Sequence, residues 1–235
     1  MEHVTCAICG ADDTVVVATK GDLTEDMTTV ACRRCALVYL NPRPTVAAYD
    51  DFHVEDFLVQ RHGISVTGDV EHKVKGSELK MKSAVENFLR PVLQSGIRVL
   101  DVGCGIGTQL HLIRTDVPDA VVRGIELATV DVDAAKKFYG LDLFAGSLKQ
   151  FATAHPTERF DLIILHHTFE HLPDPRAALH TLERLLAPRG TLFIAVPNVM
   201  NIRKRPEIFF QIAHPYAYAP ATLQKMLLLA GFSVV

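Results

Sequence analysis

Residues 98–107 read RVLDVGCGIG: a branched apolar run that ends in an acid and then in glycine at every second position. The run lacks alternating polar residues, so it predicts a strand buried on both faces, as in a parallel sheet. Gly103, Gly105 and Gly107 let the chain turn tightly and let a ligand approach the backbone with no Cβ in the way. GTQLHLIRT follows as a helix whose first N–H groups point at that loop. Downstream, AVVRGIEL, LDLFAG, FDLIILHH and TLFIAVP read as strands. They alternate with the helical runs VDVDAAKKFYG, LKQFATAH, PRAALHTLERLLAP and PATLQKMLLLAG, before a final strand-like FSVV. Alternation of this kind predicts an α/β fold, a Rossmann-like doubly wound sheet with right-handed crossovers.

Ligands of such sheets bind at the carboxyl ends of the strands, where the glycine loop lies. Glu126 closes the second strand, and a carboxylate there can accept hydroxyl protons from an adenosine ribose. A dinucleotide site expects G-x-G-x-x-G, with room for a pyrophosphate. Here the spacing is G-x-G-x-G, and Asp101 stands directly before it. A carboxylate in that place opposes an anionic ligand and favours a cationic aminoacyl sulfonium.

Upstream, Cys6, Cys9, Cys32 and Cys35 form two C-x2-C pairs separated by 22 residues. Each short turn presents two thiolates, and four thiolates complete the tetrahedron of a closed, structural zinc site. TVVVATKGDL and MTTVACRRC read as hairpin strands of a small zinc-ribbon module, with Arg33 and Arg34 placed to offset thiolate charge. The expected organisation is a zinc-binding module over 1–44, a connecting or lid segment over 45–78 with a helix near 46–59, and the α/β domain over 79–235, opened by a helix near 78–94.

The 235 residues are 49% apolar and 22% charged, which fits a globular chain and not a disordered one. A net charge of −3 gives no general attraction to nucleic acid or anionic lipid. IRKRP at 202–206 is one short basic cluster, not a stripe. The start MEHVTCAICG has neither the basic nor the apolar region of a secretory signal, and no apolar run is long enough to span a bilayer. The expectation is a cytoplasmic protein with a small-molecule substrate and no nucleic-acid or membrane partner.

VLDVGCGIG, GIELA and FDLIILHHTFEHLPDP resemble the glycine loop, ribose acid and post-strand-4 motifs of class I S-adenosylmethionine (SAM) methyltransferases. The likeness covers about residues 80–235. The CxxC…CxxC pattern and the LVYLNPRP exit resemble a zinc module found on a subset of them, including deoxysugar C-methyltransferases. The resemblance implies SAM as cofactor beside structural Zn2+, with Asp101, Gly103 and Gly105 at the methionine end, in a loop that also holds Cys104 and Gly107. Glu126 would then hold the ribose, and Leu127 would pack on the adenine beside Ser147 and Leu148. His166 and His167 would stand next to the transferable methyl. Family members often carry an Asp where this chain has Ser147.

SAM carries its own leaving group, so a base is needed only when the acceptor must lose a proton. His166, His167, His171, His214 and Tyr216 are the catalytic candidates. No Asn/Asp-Pro-Pro-aromatic motif follows strand 4, and no cysteine remains for a pyrimidine mechanism. A sugar nucleotide or secondary metabolite fits as acceptor, with carbon, oxygen and nitrogen all compatible. The alternatives are a zinc-ribbon RNA or protein methyltransferase, and a non-catalytic SAM-binding assembly partner. The resemblance also implies seven strands, of which six are encoded if GFSVV supplies the sixth. The seventh being absent, the expectations are a C-terminally incomplete domain or a homo-oligomer formed through the open sheet edge.

Overall fold

The computed structural model describes residues 1–19, 27–50, 76–78, 81–201 and 210–235. Its chain divides into two compact units, one from residues 1–51, 167–180 and 195–235, the other from 52–166 and 181–194.

In the first unit, β1 (Thr14–Ala18), β2 (Thr29–Cys32), β3 (Val38–Leu40) and β9 (Tyr216–Ala217) form one sheet in that order. All neighbours are antiparallel, with Thr14 opposite Cys32, Val30 opposite Tyr39 and Tyr39 opposite Tyr216. The buried strands β2 and β3 carry the apolar side chains, and Leu37, Tyr39 and Leu40 are almost wholly enclosed. A short helix, α1 (Val46–Asp50), follows the proline-bounded exit; the rest of the helix expected to 59 lies outside the described residues, as does most of the 45–78 segment.

The second unit is built on the order β6-β5-β4-β7-β8, comprising β6 (Phe144–Ala145), β5 (Val121–Glu126), β4 (Arg98–Val102), β7 (Phe160–His166) and β8 (Leu186–Ala195). β4 runs parallel to β5 and β7, and β5 parallel to β6. Val99, Leu100 and Leu162–Leu165 have no exposed surface, so the continuous apolar runs are strands covered on both faces. The helices α2 (Thr108–Asp116), α3 (Thr129–Tyr139), α4 (Leu148–Ala154) and α5 (Pro175–Leu185) alternate with them. Val85, Leu89, Leu110, Ile113, Ala135 and Ile164 share one apolar core. Residues 81–84 are helical and continue as a π-helical turn, Val85–Leu89, then a 3-10 turn, Arg90–Val92, that holds Pro91. Strand order reverses between β4 and β7, the switch point at which doubly wound sheets bind ligands.

One expectation is corrected. Phe232–Val235, after α6 (Pro220–Leu229), form no strand, so among the described residues the sheet has five strands and not six. A four-residue run gains too few ladder bonds to order itself without a paired neighbour. The first unit also takes in residues 167–180 and 195–235. β9, from the chain's far end, pairs with β3, because the β3 edge needs a partner for its unpaired backbone groups.

Candidate functional site

In the second unit the three loop glycines all take left-handed backbone, with φ of 71°, 55° and 73° at Gly103, Gly105 and Gly107. At Gly107 a Cβ would also lie 2.7 Å from Leu141 Cδ1, so both torsion and space demand glycine. Gly124, in β5, makes room for Cys104: a Cβ there would meet its Sγ at 2.7 Å. Burial, then the charges of Asp101 and Glu126, hold the Cys104 thiol well above its ordinary range, so it packs and does not attack.

Glu126 braces the loop. Its Oε2 accepts from the Gly105 N–H at 2.8 Å, and its Oε1 accepts from Leu127 and Ala128 N–H at 2.8 and 3.0 Å. Burial raises its pKa, while those backbone donors pull the other way. Asp101, at the end of β4, is 2% exposed, and burial followed by the Glu126 charge pushes its pKa up to about 8. Asp131 is a third buried carboxylate of this region, and its Oδ2 is the nearest side-chain atom to a Cβ placed on Gly105. Sequence reading passed over Asp131, because an acid in a first helical turn is an ordinary helix feature.

Asp101, Gly103, Cys104, Gly105, Ile106, Thr108, Gln109 and His166 line one cavity of about 170 Å3, with Ser77 and Met81 on its wall. His166 Nδ1 is 3.4 Å from Gln109 Oε1. Gln109 Nε2 is buried and has no hydrogen-bond partner among the described residues. Gln109 and Met81 were missed from sequence because helical periodicity marks them only as helix positions, and Ser77 because it falls in the irregular connecting segment. Leu127 is 52% exposed beside Glu126, an open apolar surface. Ser147 caps α4, its hydroxyl accepting from Gln150 N–H while the Gln150 side chain accepts from Ser147 N–H. Leu148, the next residue, is buried.

The first unit brings its four cysteines together. Cys6 and Cys35 sulfurs are 3.3 Å apart, Cys9 and Cys32 are 3.5 Å apart, and all four sulfurs lie within 4.8 Å of one another. These separations exceed a disulfide bond, and the thiols are free. The two turns are alike: Gly10 N–H donates to Cys6 C=O and Ala36 N–H to Cys32 C=O, with φ of 70° and 61° at Gly10 and Ala36. Arg33 turns to Asp13 on the surface, at 3.5 Å, and not to the sulfurs. A solvated side chain gains more from a neighbouring carboxylate than from a distant thiolate.

His167, Glu170, His171 and His214 also belong to the first unit. His167 Nδ1 is 3.5 Å from Glu170 Oε1, and the His171 and His214 rings meet edge to face at 4.6 Å. Tyr216 is buried in β9, its hydroxyl accepting from Arg43 Nη1 at 2.9 Å. Arg43 donates as well to Pro173 C=O and Glu2 Oε1, a fastening not read from sequence.

Residues 72–235 match the family model described as a methyltransferase domain, and the chain belongs to this family. A ubiquinone biosynthesis O-methyltransferase of Actinobacillus pleuropneumoniae serotype 5b is 32% identical over 111 residues, covering 44% of this chain and 47% of that protein. A trans-aconitate 2-methyltransferase of Methylobacterium radiotolerans is 32% identical over 119 residues, covering 51% and 45%. The chain thus spans about half the length of the curated relatives it matches. Among solved structures, a SAM dependent methyltransferase from Archaeoglobus fulgidus superposes with a TM-score of 0.57 at 20% identity, over 70% of this chain and 73% of that one. One from Aquifex aeolicus gives 0.53 at 23% identity, over 67% and 89%. The fold is the Rossmann-like one of those SAM dependent methyltransferases.

Proposed function

We propose that this chain is a class I methyltransferase that binds SAM in the cavity of its second unit and passes the methyl group to a small-molecule acceptor by direct displacement. The observation that carries this reading is Asp101, a buried carboxyl beside the glycine loop whose proton affinity is raised by burial and a second acid. Such a site gains most from a cationic ligand. Gln109 Nε2, buried with no partner among the described residues, is proposed as a donor for an oxygen of the same ligand. These residues fit SAM.

When bound, SAM supplies an electrophilic methyl on a sulfonium. Asp101 holds its ammonium group, Glu126 accepts from the ribose while keeping its backbone bonds, and Leu127 covers the adenine with Ser147 and Leu148 beside it. Gln109 fixes the ring of His166 through Oε1. His166 then stands as a proton acceptor for a hydroxyl or carbon acid. A sugar nucleotide or secondary metabolite is the proposed acceptor class; the names of the two relatives, for ubiquinone biosynthesis and trans-aconitate, support a small molecule.

The four cysteines are proposed to hold a structural zinc. A zinc–thiolate tetrahedron has sulfur–sulfur edges of about 3.8 Å, and sulfurs within 4.8 Å of one another, two pairs already at 3.3 and 3.5 Å, fit it. With all four positions taken by protein, the ion would be left no place for substrate. Self-association through β8, an end strand of its sheet among the described residues, belongs to the same proposal, and light scattering against concentration tests it.

Calorimetry with SAM and its demethylated product, followed by a methyl-transfer screen, tests the main reading. Saturable binding with turnover on a metabolite supports it. Binding with no turnover would favour the non-catalytic assembly partner, transfer to RNA or protein would favour the recognition-module alternative, and no binding at all removes the assignment.

A further inference from the structure

Glu170 lies in the 3-10 turn Phe169–His171 and is 3% exposed. Its Oε1 faces His167 Nδ1, but its Oε2 is buried with no hydrogen-bond partner among the described residues. A buried carboxylate oxygen without a donor is an unmet demand for positive charge. His171, the next residue, donates its Nδ1 proton to Ala213 C=O at 2.7 Å. A neutral ring protonated at Nδ1 carries its lone pair on Nε2, which is how metal-binding histidines are set by an outer hydrogen bond. The His214 ring packs edge-on against His171, with the buried Gln211 carboxamide nitrogen 2.9 Å from Nε2 and 3.1 Å from Nδ1. One carboxylate oxygen of Glu170 and one ring nitrogen each of His171 and His214 lie within 4.8 Å of one another.

We infer that Glu170, His171 and His214 form a binding site for a divalent first-row transition ion such as Zn2+ or Co2+. Two imidazoles and one carboxylate suit such ions, whereas Mg2+ and Ca2+ prefer oxygen donors throughout. Bond lengths of about 2.0–2.2 Å to nitrogen and oxygen require the three donors to draw closer, which side-chain torsions supply. The competing account is a plain ion pair between Glu170 and a protonated imidazole. His167 can make such a pair with Oε1, but that leaves Oε2 buried with no hydrogen-bond partner among the described residues. Three protein ligands leave a position for water or for an oxygen ligand, unlike the closed cysteine centre. The inference requires neither SAM binding nor turnover.

The test uses the full chain with its cysteines loaded with Zn2+, titrated with Co2+ and followed by visible absorption and calorimetry. One further Co2+ per chain is expected, with d–d bands and no thiolate-to-cobalt charge transfer. Glu170→Gln and His214→Ala should each weaken that binding by about tenfold or more. Circular dichroism checks both variants for folding, and the His214 variant carries the test if Glu170→Gln does not fold. Absence of extra cobalt, charge-transfer bands alone, or unchanged affinity in both variants would overturn the inference.

Discussion

Asp101 and Glu126 divide the work of a carboxylate pair by their surroundings. Glu126 has three backbone donors, while Asp101 is more deeply buried and is pushed up to about 8. The folded state therefore keeps a proton on Asp101 that the unfolded chain releases near the ordinary carboxylate value of 3.8. Stability without ligand falls as pH rises from that value towards about 8, and levels off once both states are ionised. Asp101→Asn removes this loss, so its ligand-free melting temperature at pH 8 should exceed that of the natural chain, while SAM affinity drops about tenfold or more. A lower melting temperature at pH 8 would contradict the assignment. A cationic ligand should also drive the proton off: at pH 7, calorimetry in buffers of different ionisation enthalpy should register proton release on SAM binding. Glu126→Gln keeps the shape and loses the charge, and should cost about 1–3 kcal/mol of SAM binding. Unchanged affinity for SAM and for its demethylated product would remove the ribose role.

At the scale of elements, the glycine loop works because β4 and α2 fix both of its ends while the backbone between them takes torsions that L side chains resist. Gly107→Ala adds a Cβ at φ 73° and drives it into Leu141. The expected cost is about 1–3 kcal/mol in stability, read by denaturant unfolding, together with weaker SAM binding. Full stability and affinity in that variant would mean that the loop relaxes freely. The two cysteine turns repeat one backbone hydrogen bond and one left-handed residue, so each presents its pair of sulfurs in the same way. β9 is only two residues long, yet it extends the sheet that carries them and buries Tyr216 against Arg43.

For the whole molecule, the chain interleaves its units: the N-terminal segment shares a unit with residues 167–180 and 195–235, while 52–166 and 181–194 make the α/β sheet. No helix among the described residues is long and apolar enough to cross a membrane. If the cysteines hold zinc, stripping it with a chelator should raise hydrogen exchange in β1, β2 and β3, since Cys6 and Cys9 precede β1, Cys32 ends β2 and Cys35 lies between β2 and β3. Protection in β4, β5 and β7 should persist, since their order rests on buried aliphatic side chains. Equal loss of protection in both units, or none in β1–β3, would show that the cysteines do not order the first unit through a metal.

The alternation of apolar strands and helices from residue 97, the loop at 103–107, the flanking acids Asp101 and Glu126, and the paired cysteines were all legible in the sequence. Each rests on local periodicity or spacing, and local rules need no knowledge of distant neighbours. The pairing of β9 with β3, the burial of Arg43 among Glu2, Pro173 and Tyr216, and the meeting of Glu170 with His171 and His214 were not. Gln109 likewise read as one more helical position until its carboxamide was found buried beside His166. These features join residues far apart in the chain or depend on which groups lose their water. Only the packed structure decides that, because the demand for a partner arises when a polar group is buried.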